Sequence, residues 1–246
     1  MDPYVILAIA IVIAAVFTYL QTPRGKGFLG ELVVKIVLGK TKPGKQYTVN
    51  DLIITGENGK TSQIDHIHIN KNGIFVIETK NYSGRIYGNE NQENWTQVLK
   101  YGKVKNKLYN PLKQNASHIY RLREVTGTKL PIKSLIVFVQ NNTSYIESDK
   151  VFGTLEVKAQ TKKNTGKTIT VSEMEELYQK LLDLKASNTV TLSEHVKNID
   201  KTLSETRDGI CPRCNGRLIK RKGKYGEFYG CENYPKCQFK TKDITK

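Results

Sequence analysis

Acidic residues are in short supply. There are 23 Asp and Glu against 39 Lys and Arg, a formal charge of +16 over 246 residues. Such a balance points to polyanionic partners, through phosphate contacts and counterion release, or to an anionic membrane surface. It does not choose between them and is silent on catalysis. Cysteine is absent from the first 210 residues, so no disulfide framework staples the body of the protein. There is no internal repeat and no low-complexity tract, which excludes a solenoid and a disordered polar chain.

Charge is missing altogether from Tyr4 to Leu20, YVILAIAIVIAAVFTYL. At about 1.5 Å per helical residue this run is just long enough to cross a bilayer core, with tyrosines near both ends for the interfaces. A cleavable signal peptide competes, because Ala8-Ile9-Ala10 has an A-x-A look. However, Met1-Asp2-Pro3 offers no basic n-region, and that triplet lies mid-segment. A buried soluble helix would need a polar face, which is absent. Arg24 and Lys26 follow at once, so the positive-inside rule puts the bulk of the protein in the cytoplasm. The expectation is a single-pass anchor in the cell membrane.

Beyond the turn Thr22–Gly25, Phe28, Leu29, Leu32, Val33, Ile36 and Val37 recur at helical spacing, and Gly39 is a C-cap. Strand-like runs cover Gln46–Ile54, Gln63–Ile69, Gly73–Thr79 and Arg85–Gly88, with Asn72-Gly73 as a hairpin signal. Pro111 opens a helix to about Val125 that turns Leu112, Ile119 and Leu122 to the core. Leu135–Val139 reads as a buried strand of a mixed α/β sheet. Weaker strands are expected at Thr154–Val157 and Thr168–Val171, and Ser172-x-x-Glu175 as a capping box for a helix to about Leu184. The predicted layout is an anchor at 1–22, an α/β domain at 23–186, a helical or polar linker at 187–208, and a cysteine module at 209–246.

That module holds Cys211-Pro-Arg-Cys214, Cys231 and Cys237. Four thiolates in such pairs make a tetrahedral zinc site on two knuckles, a zinc ribbon. Disulfides would be reduced on the predicted side of the membrane, and a redox C-x-x-C would not need the second pair. From Arg207 to Lys246 there are 11 Lys and Arg against 4 Asp and Glu, a net of +7. Arg217, Lys220, Arg221, Lys222 and Lys224 interleave with Tyr225, Phe228 and Tyr229. Cations for phosphates and aromatics for bases suit a single strand, and some of these aromatics must also pack around the zinc. The spacing CPRCNGRLIKRKGKYGEFYGCENYPKCQFK resembles the C-terminal zinc fingers of bacterial type IA topoisomerases, which implies single-stranded DNA binding by this module.

The stretch GIFVIETK carries a second constellation. An antiparallel hairpin with QIDHIHI brings Asp65 near Glu78 and Lys80, and the two-residue period puts Glu78 and Lys80 on one face. Two carboxylates with the Thr79 carbonyl between them suit Mg²⁺ or Mn²⁺, and an adjacent ammonium positions a water for attack on phosphorus. The bare D-x12-E-x-K pattern also describes many charged strand ends. Glu31 on the first helix and Gln114 on the helix after the sheet are further candidates, each otherwise an ordinary solvated side chain. His66, His68 and His118 read as packing or hydrogen-bonding residues, Trp95 as core. The Lys100–Lys107 run reads equally as a phosphate face or a solvated one.

In order, Gly30-Glu31, Gln63-Ile-Asp65-His66, Gly73 to Gly84, Trp95 and Asn110-Pro111-x-x-Gln114 resemble the nuclease-related domain (NERD). The resemblance runs from about Gly25 to Val139. It implies a restriction-endonuclease-like PD-(D/E)xK fold, a mixed sheet flanked by helices, with catalytic positions at Glu31, Asp65, Glu78, Lys80 and Gln114. It also implies a bacterial setting. The expected function is a membrane-anchored, Mg²⁺- or Mn²⁺-dependent nuclease on DNA. The alternatives are a catalytically inactive, membrane-tethered DNA-binding protein, and a membrane-surface protein whose charge serves anionic lipids.

Overall fold

The computed structural model describes residues 2–140, 142–164, 166–223, 226–242 and 244. Helix α1 (Pro3–Gln21) is capped by Asp2, whose side chain accepts the Tyr4 amide at 2.8 Å, and it is exposed along its length. It is long and apolar enough to cross a membrane, a property shared by signal sequences. At Thr22 the chain turns into α2 (Pro23–Leu38), which stops at Gly39 with φ 78°.

Three antiparallel strands follow, β1 (Gln46–Thr55), β2 (Thr61–Asn70) and β3 (Gly73–Lys80). Next come β4 (Arg85–Asn89), β5 (Asn94–Leu99), β6 (Val104–Tyr109), α3 (Pro111–Thr126), β7 (Ile132–Phe138), β8 (Ile146–Glu147) and β9 (Val151–Gly153). The main sheet has the order β1-β2-β3-β7-β9, with β7 parallel to both neighbours. The parallel crossover from β3 to β7 is made through β4, β5, β6 and α3, and β8 then joins those three strands in a second sheet of order β6-β5-β4-β8. Trp95 is the buried anchor of that second sheet, stacked on Phe138 of β7 at 6.2 Å.

Both faces of the main sheet are covered, which explains why Ile74–Ile77 form an unbroken apolar run with no exposure. Ile74 and Val76 pack with Leu122 of α3 and with Met174, Leu177 and Leu181 of α5 (Val171–Ser187). Phe75 and Ile77 pack with Val34 and Leu38 of α2 and with Val157 of α4 (Val157–Gln160). Each of these fully buried side chains contributes roughly 1.5–3 kcal/mol.

Several expectations are corrected. Thr154–Glu156 is a 3-10 turn leading into α4, not a strand. Thr168–Val171 is no strand either, since Ile169 makes one backbone bond to Lys71 and α5 then begins. The capping box is Thr170–Glu173 instead of Ser172–Glu175. The sequence TVSEMEE contains both S/T-x-x-E pairs, and Glu175 is taken by the Tyr47 hydroxyl at 2.8 Å. The run at Lys100–Lys107 begins in a 3-10 turn, Lys100–Gly102, and its second half lies in β6, an exposed edge strand.

Helix α6 (Leu192–Arg207) follows, capped by a Thr191–Glu194 box. It does not swing free as a linker. Asn198 Oδ1 accepts the Thr61 amide at 2.8 Å, His195 Nδ1 meets Thr61 Oγ1 at 2.7 Å, and Lys60 pairs with Glu205 at 2.9 Å. A three-stranded sheet closes the chain, β10 (Leu218–Gly223), β11 (Gly226–Cys231) and β12 (Lys240–Thr241). The architecture is a mixed α/β sheet flanked by helices, with a terminal module around four cysteines.

Candidate active site

The carboxyl end of β3 is where helices from both faces of the sheet converge. The last β2–β3 pair, His66 with Ile77, sets Asp65 opposite Glu78 on the next position. Directly opposed residues share a face, so Asp65, Glu78 and Lys80 all point toward α3. Asp65 Oδ2 accepts the Thr79 amide at 2.8 Å. Lys80 Nζ donates to Glu78 Oε1 at 2.6 Å and to Gln114 Oε1 at 3.0 Å.

Gln114 is in reach because of how α3 starts. Asn110 is the N-cap, its side chain accepting the Leu112 amide at 2.9 Å while its own amide holds the carbonyls of Asn89 and Gln92. Pro111 fixes the first turn. Asn115, fully buried, then bolts the helix to the sheet by donating to the Val76 carbonyl at 2.9 Å and Ser134 Oγ at 2.8 Å. From the other face α2 brings Glu31. Its neighbour Gly30 permits this approach, because a Cβ there would lie 3.1 Å from Asn81 Cβ and 3.3 Å from Val139 Cγ2.

Two further residues join the cluster, His118 and Asp51. His118, one turn beyond Gln114, is a hydrogen-bonding residue as expected, and it also approaches Glu78. Its Nε2 stands 3.1 Å from Glu78 Oε2, while Nδ1 shares a 2.6 Å hydrogen bond with Ser62 Oγ. The approach to Glu78 is close but poorly directed, and buried Oε2 has no hydrogen bond. Asp51 sits between the β1–β2 pairs Asn50–His66 and Leu52–Ile64, opposite Asp65, with φ 52°. Asp tolerates that left-handed region, and here it opens the ladder and stands close enough to Glu31 to perturb it. His66 and His68 point away from the cluster and bond Asn50 and Thr48. Burial lowers each to about 4, so both are neutral at pH 7.

The electrostatics are those of too many carboxylates in too little water. Burial, with Asp51 and Glu78 adding repulsion, raises Glu31 to about 7. Burial and the Glu78 charge hold Asp65 well above the usual carboxylate range. Burial would raise Glu78 as well, but Lys80 and His118 outweigh it and hold Glu78 at about 2. Reciprocally, Glu78 overcomes burial and keeps Lys80 protonated, above its ordinary value. A protonated Lys80 is a donor and a fixed positive charge; it is not a base.

Does this donor set fit a divalent cation? Oxygen-only ligands, an orphaned buried carboxylate oxygen on Glu78 and mutually repelling Asp65 and Glu31 all suit a hard ion such as Mg²⁺. These residues line a cleft of about 870 Å³, within the roughly 300–1,000 Å³ range of functional pockets.

In the terminal module the four sulfurs lie within 4.8 Å of one another, with Cys211–Cys237 at 3.7 Å and Cys214–Cys231 at 3.3 Å. A tetrahedral zinc with bonds of about 2.3 Å separates its sulfurs by roughly 3.8 Å, so the site fits a structural zinc. Amides of Arg213 and Asn233 point at Cys211 and Cys231, both at 3.4 Å, as thiolate ligands require. Tyr229 and Phe239 pack on the cysteines. Of the expected nucleic-acid contacts, Arg217 is paired with Glu232 at 3.0 Å, Lys220 with Glu227 at 2.7 Å, and Arg221 with the Cys231 carbonyl at 3.2 Å. Lys222 is exposed on β10, and Phe228 is half-buried opposite Arg221. None of these lines the cleft, whereas Arg213 and Phe239 do. Lys224 and Tyr225 lie outside the described residues.

Comparison with known proteins agrees with the division. Residues 26–139 match the family model of the nuclease-related domain, and residues 208–245 that of the topoisomerase DNA binding C4 zinc finger. A Bacillus anthracis protein described only as uncharacterized is 40% identical over 118 residues, covering 48% of this chain and 55% of its own. DNA topoisomerase 1 of Methanocaldococcus jannaschii is 59% identical over 39 residues, 16% of this chain and 5% of the enzyme. DNA topoisomerase 1 of Helicobacter pylori is 44% identical over 41 residues, 17% of this chain and 6% of the enzyme. The chain thus spans about half of the first relative and a small fraction of the topoisomerases. No solved structure matches. The chain carries a nuclease-related domain and a topoisomerase-type C4 zinc ribbon.

Proposed function

We propose that this chain is a membrane-anchored, divalent-metal-dependent nuclease that hydrolyses phosphodiester bonds of DNA. The observation that carries the reading is the meeting of Asp65, Glu78, Lys80 and Gln114 at one point in a cleft, with Glu31 approaching from the opposite helix. Asp65, Glu78 and the Thr79 carbonyl would hold Mg²⁺ or Mn²⁺. When bound, such an ion polarises a phosphate oxygen and lowers the pKa of a coordinated water.

The remaining work falls to the chain. Lys80, kept charged and aimed by Gln114, orients the attacking water and offsets charge that develops on the phosphate. His118, braced by Ser62, sits beside Glu78 Oε2 and adds to the local positive field when protonated. Glu31 and Asp51 give the cation's waters further acceptors. In this reading residues 1–22 are the anchor, 23–186 the nuclease domain, 187–208 a connecting helix and 209–246 the ribbon. The uniformly exposed apolar α1 and the cations that follow it support a cytoplasmic body.

The test uses the full chain in detergent micelles with labelled single- and double-stranded DNA. Cleavage is expected on adding Mg²⁺ or Mn²⁺ and not when the divalent ion is omitted. Absence of products from both substrates with either metal sinks the catalytic reading. One observation favours a second reading, an inactive DNA-binding tether: Glu78 Oε1 is already paired with Lys80 and His118 stands beside Oε2. That reading requires binding without cleavage, and binding that is untouched by Asp65→Asn.

A further inference from the structure

The ribbon is docked, not tethered. Asn58, in the β1–β2 turn, donates to the carbonyls of Pro212 and Arg213 at 3.2 and 3.0 Å. Arg121 of α3 donates to the same Pro212 carbonyl at 3.1 Å while its other arm holds Glu124 at 2.7 Å. Gly56 leaves room for this contact, since a Cβ would come within 2.2 Å of the Arg121 guanidinium and displace it. The first zinc knuckle therefore stands at the mouth of the cleft that contains Asp65, Glu78 and Lys80.

Arg213 is unlike the other cations of that cleft. Lys80, Lys60 and Arg121 are each neutralised by a glutamate, whereas Lys26, also in the lining, has neither a carboxylate partner nor an aromatic contact among the described residues. The Arg213 guanidinium lies near two rings, 5.0 Å from the centroid of Tyr120 and 5.9 Å from that of Phe239. Its Nε is buried without a hydrogen bond, and among the described residues no carboxylate pairs with it. A planar cation set against aromatic rings and left unneutralised is suited to receive a phosphate. The facing wall is different in kind. Leu192, Val196, Ile199 and Leu203 of α6, spaced 4, 3 and 4 apart and 41–60% exposed, line the same cleft. An apolar stripe accepts unstacked bases and offers nothing to the phosphates of a second strand.

Resting on the nuclease reading for the bond that is broken, we propose that this composite cleft takes one unpaired strand. Arg213 is the positioning residue that seats a backbone phosphate beside the carboxylate cluster, and the α6 stripe receives the bases. The zinc knuckle is then part of the active cleft, in place of a separate DNA-binding arm on β10 and β11.

The experiment measures binding without any metal but zinc, so it stands whether or not the chain cleaves. Full-length, zinc-loaded protein is titrated into fluorescent dT20 and a 20-base-pair duplex, and anisotropy is followed at several salt concentrations. Wild type is expected to prefer dT20. Arg213→Ala is expected to weaken dT20 at least about 10-fold and to reduce the salt slope by about one phosphate contact. Ile199→Asp, an exposed change far from the zinc, is expected to weaken dT20 comparably. Zinc content measured on each variant shows that the knuckle is intact. Wild-type affinity in zinc-loaded Arg213→Ala, or a preference of wild type for the duplex, overturns the proposal. Cleavage failing while these binding effects hold removes the nuclease reading alone.

Discussion

Glu78→Gln and Lys80→Met are each expected to lower DNA cleavage by on the order of 10²–10³-fold or more while leaving DNA binding nearly unchanged. The choice of substitutes follows from burial. Glu78 is 2% exposed and lies against two basic side chains. Truncating either member of such a buried pair costs about 3–5 kcal/mol, because a charge is left without its partner. Gln keeps the shape and hydrogen-bonding length of Glu78 but removes the charge a cation needs. Met keeps the volume of Lys80 and removes its ammonium. In Lys80→Met the larger of the two charges that lower Glu78 is gone and only His118 remains, so burial raises its pKa and metal binding shifts to higher pH. A kinetic comparison under single-turnover conditions, with thermal melts as a folding control, separates lost chemistry from lost structure. Wild-type rates in either variant would remove that residue from the chemistry.

Losing zinc should have an equally large and different effect. The terminal module has a core made almost entirely of its cysteines, with Leu218, Tyr229 and Phe239 around them. Structural zinc supplies about 10–16 kcal/mol of folding free energy in isolated fingers, far more than such a core provides. Cys237→Ser is therefore expected to unfold residues 208–245 and to expose them to protease. The sheet domain keeps its own three clusters and should remain folded. Because Arg213 and Phe239 line the cleft, affinity for single-stranded DNA should fall at least about 10-fold and cleavage should fall with it. Full cleavage by a zinc-free variant with a digested ribbon would contradict the docked arrangement.

Much of this site is legible in the residues. GIFVIETK announces a strand buried on both faces that turns polar at its end, and period two alone puts Glu78 and Lys80 together. Asn72-Gly73 gives the hairpin, and the hairpin gives Asp65. Asn110-Pro111 starts α3, which fixes Gln114 one turn later. The cysteine spacing is sufficient for the zinc site. What escapes is set by packing between elements distant in sequence. His118 reaches Glu78 only because Asn115 bolts α3 to β3 and β7, which nothing local to the helix foretells. Asp51 enters through a single left-handed residue in a strand. Thr168–Val171 has strand propensity, but no neighbouring edge takes it up, and the helix cap at Thr170 prevails. The ribbon's cations were visible as charge. Which of them face the cleft depends on where Asn58 and Arg121 dock the first knuckle.

The central claim is that Asp65 and Glu78 hold a divalent cation, and the most direct measurement is anomalous diffraction from crystals of the zinc-loaded chain soaked in Mn²⁺ at pH 8. That pH lies above the value of about 7 at which Glu31 loses its proton. Data at the zinc edge should give a peak among the four cysteines, an internal control. Data at the manganese edge should give a peak between the Asp65 and Glu78 carboxylates, at oxygen distances close to the roughly 2.0–2.1 Å of magnesium sites. A clear zinc peak with no manganese density at Asp65 and Glu78 would contradict the account.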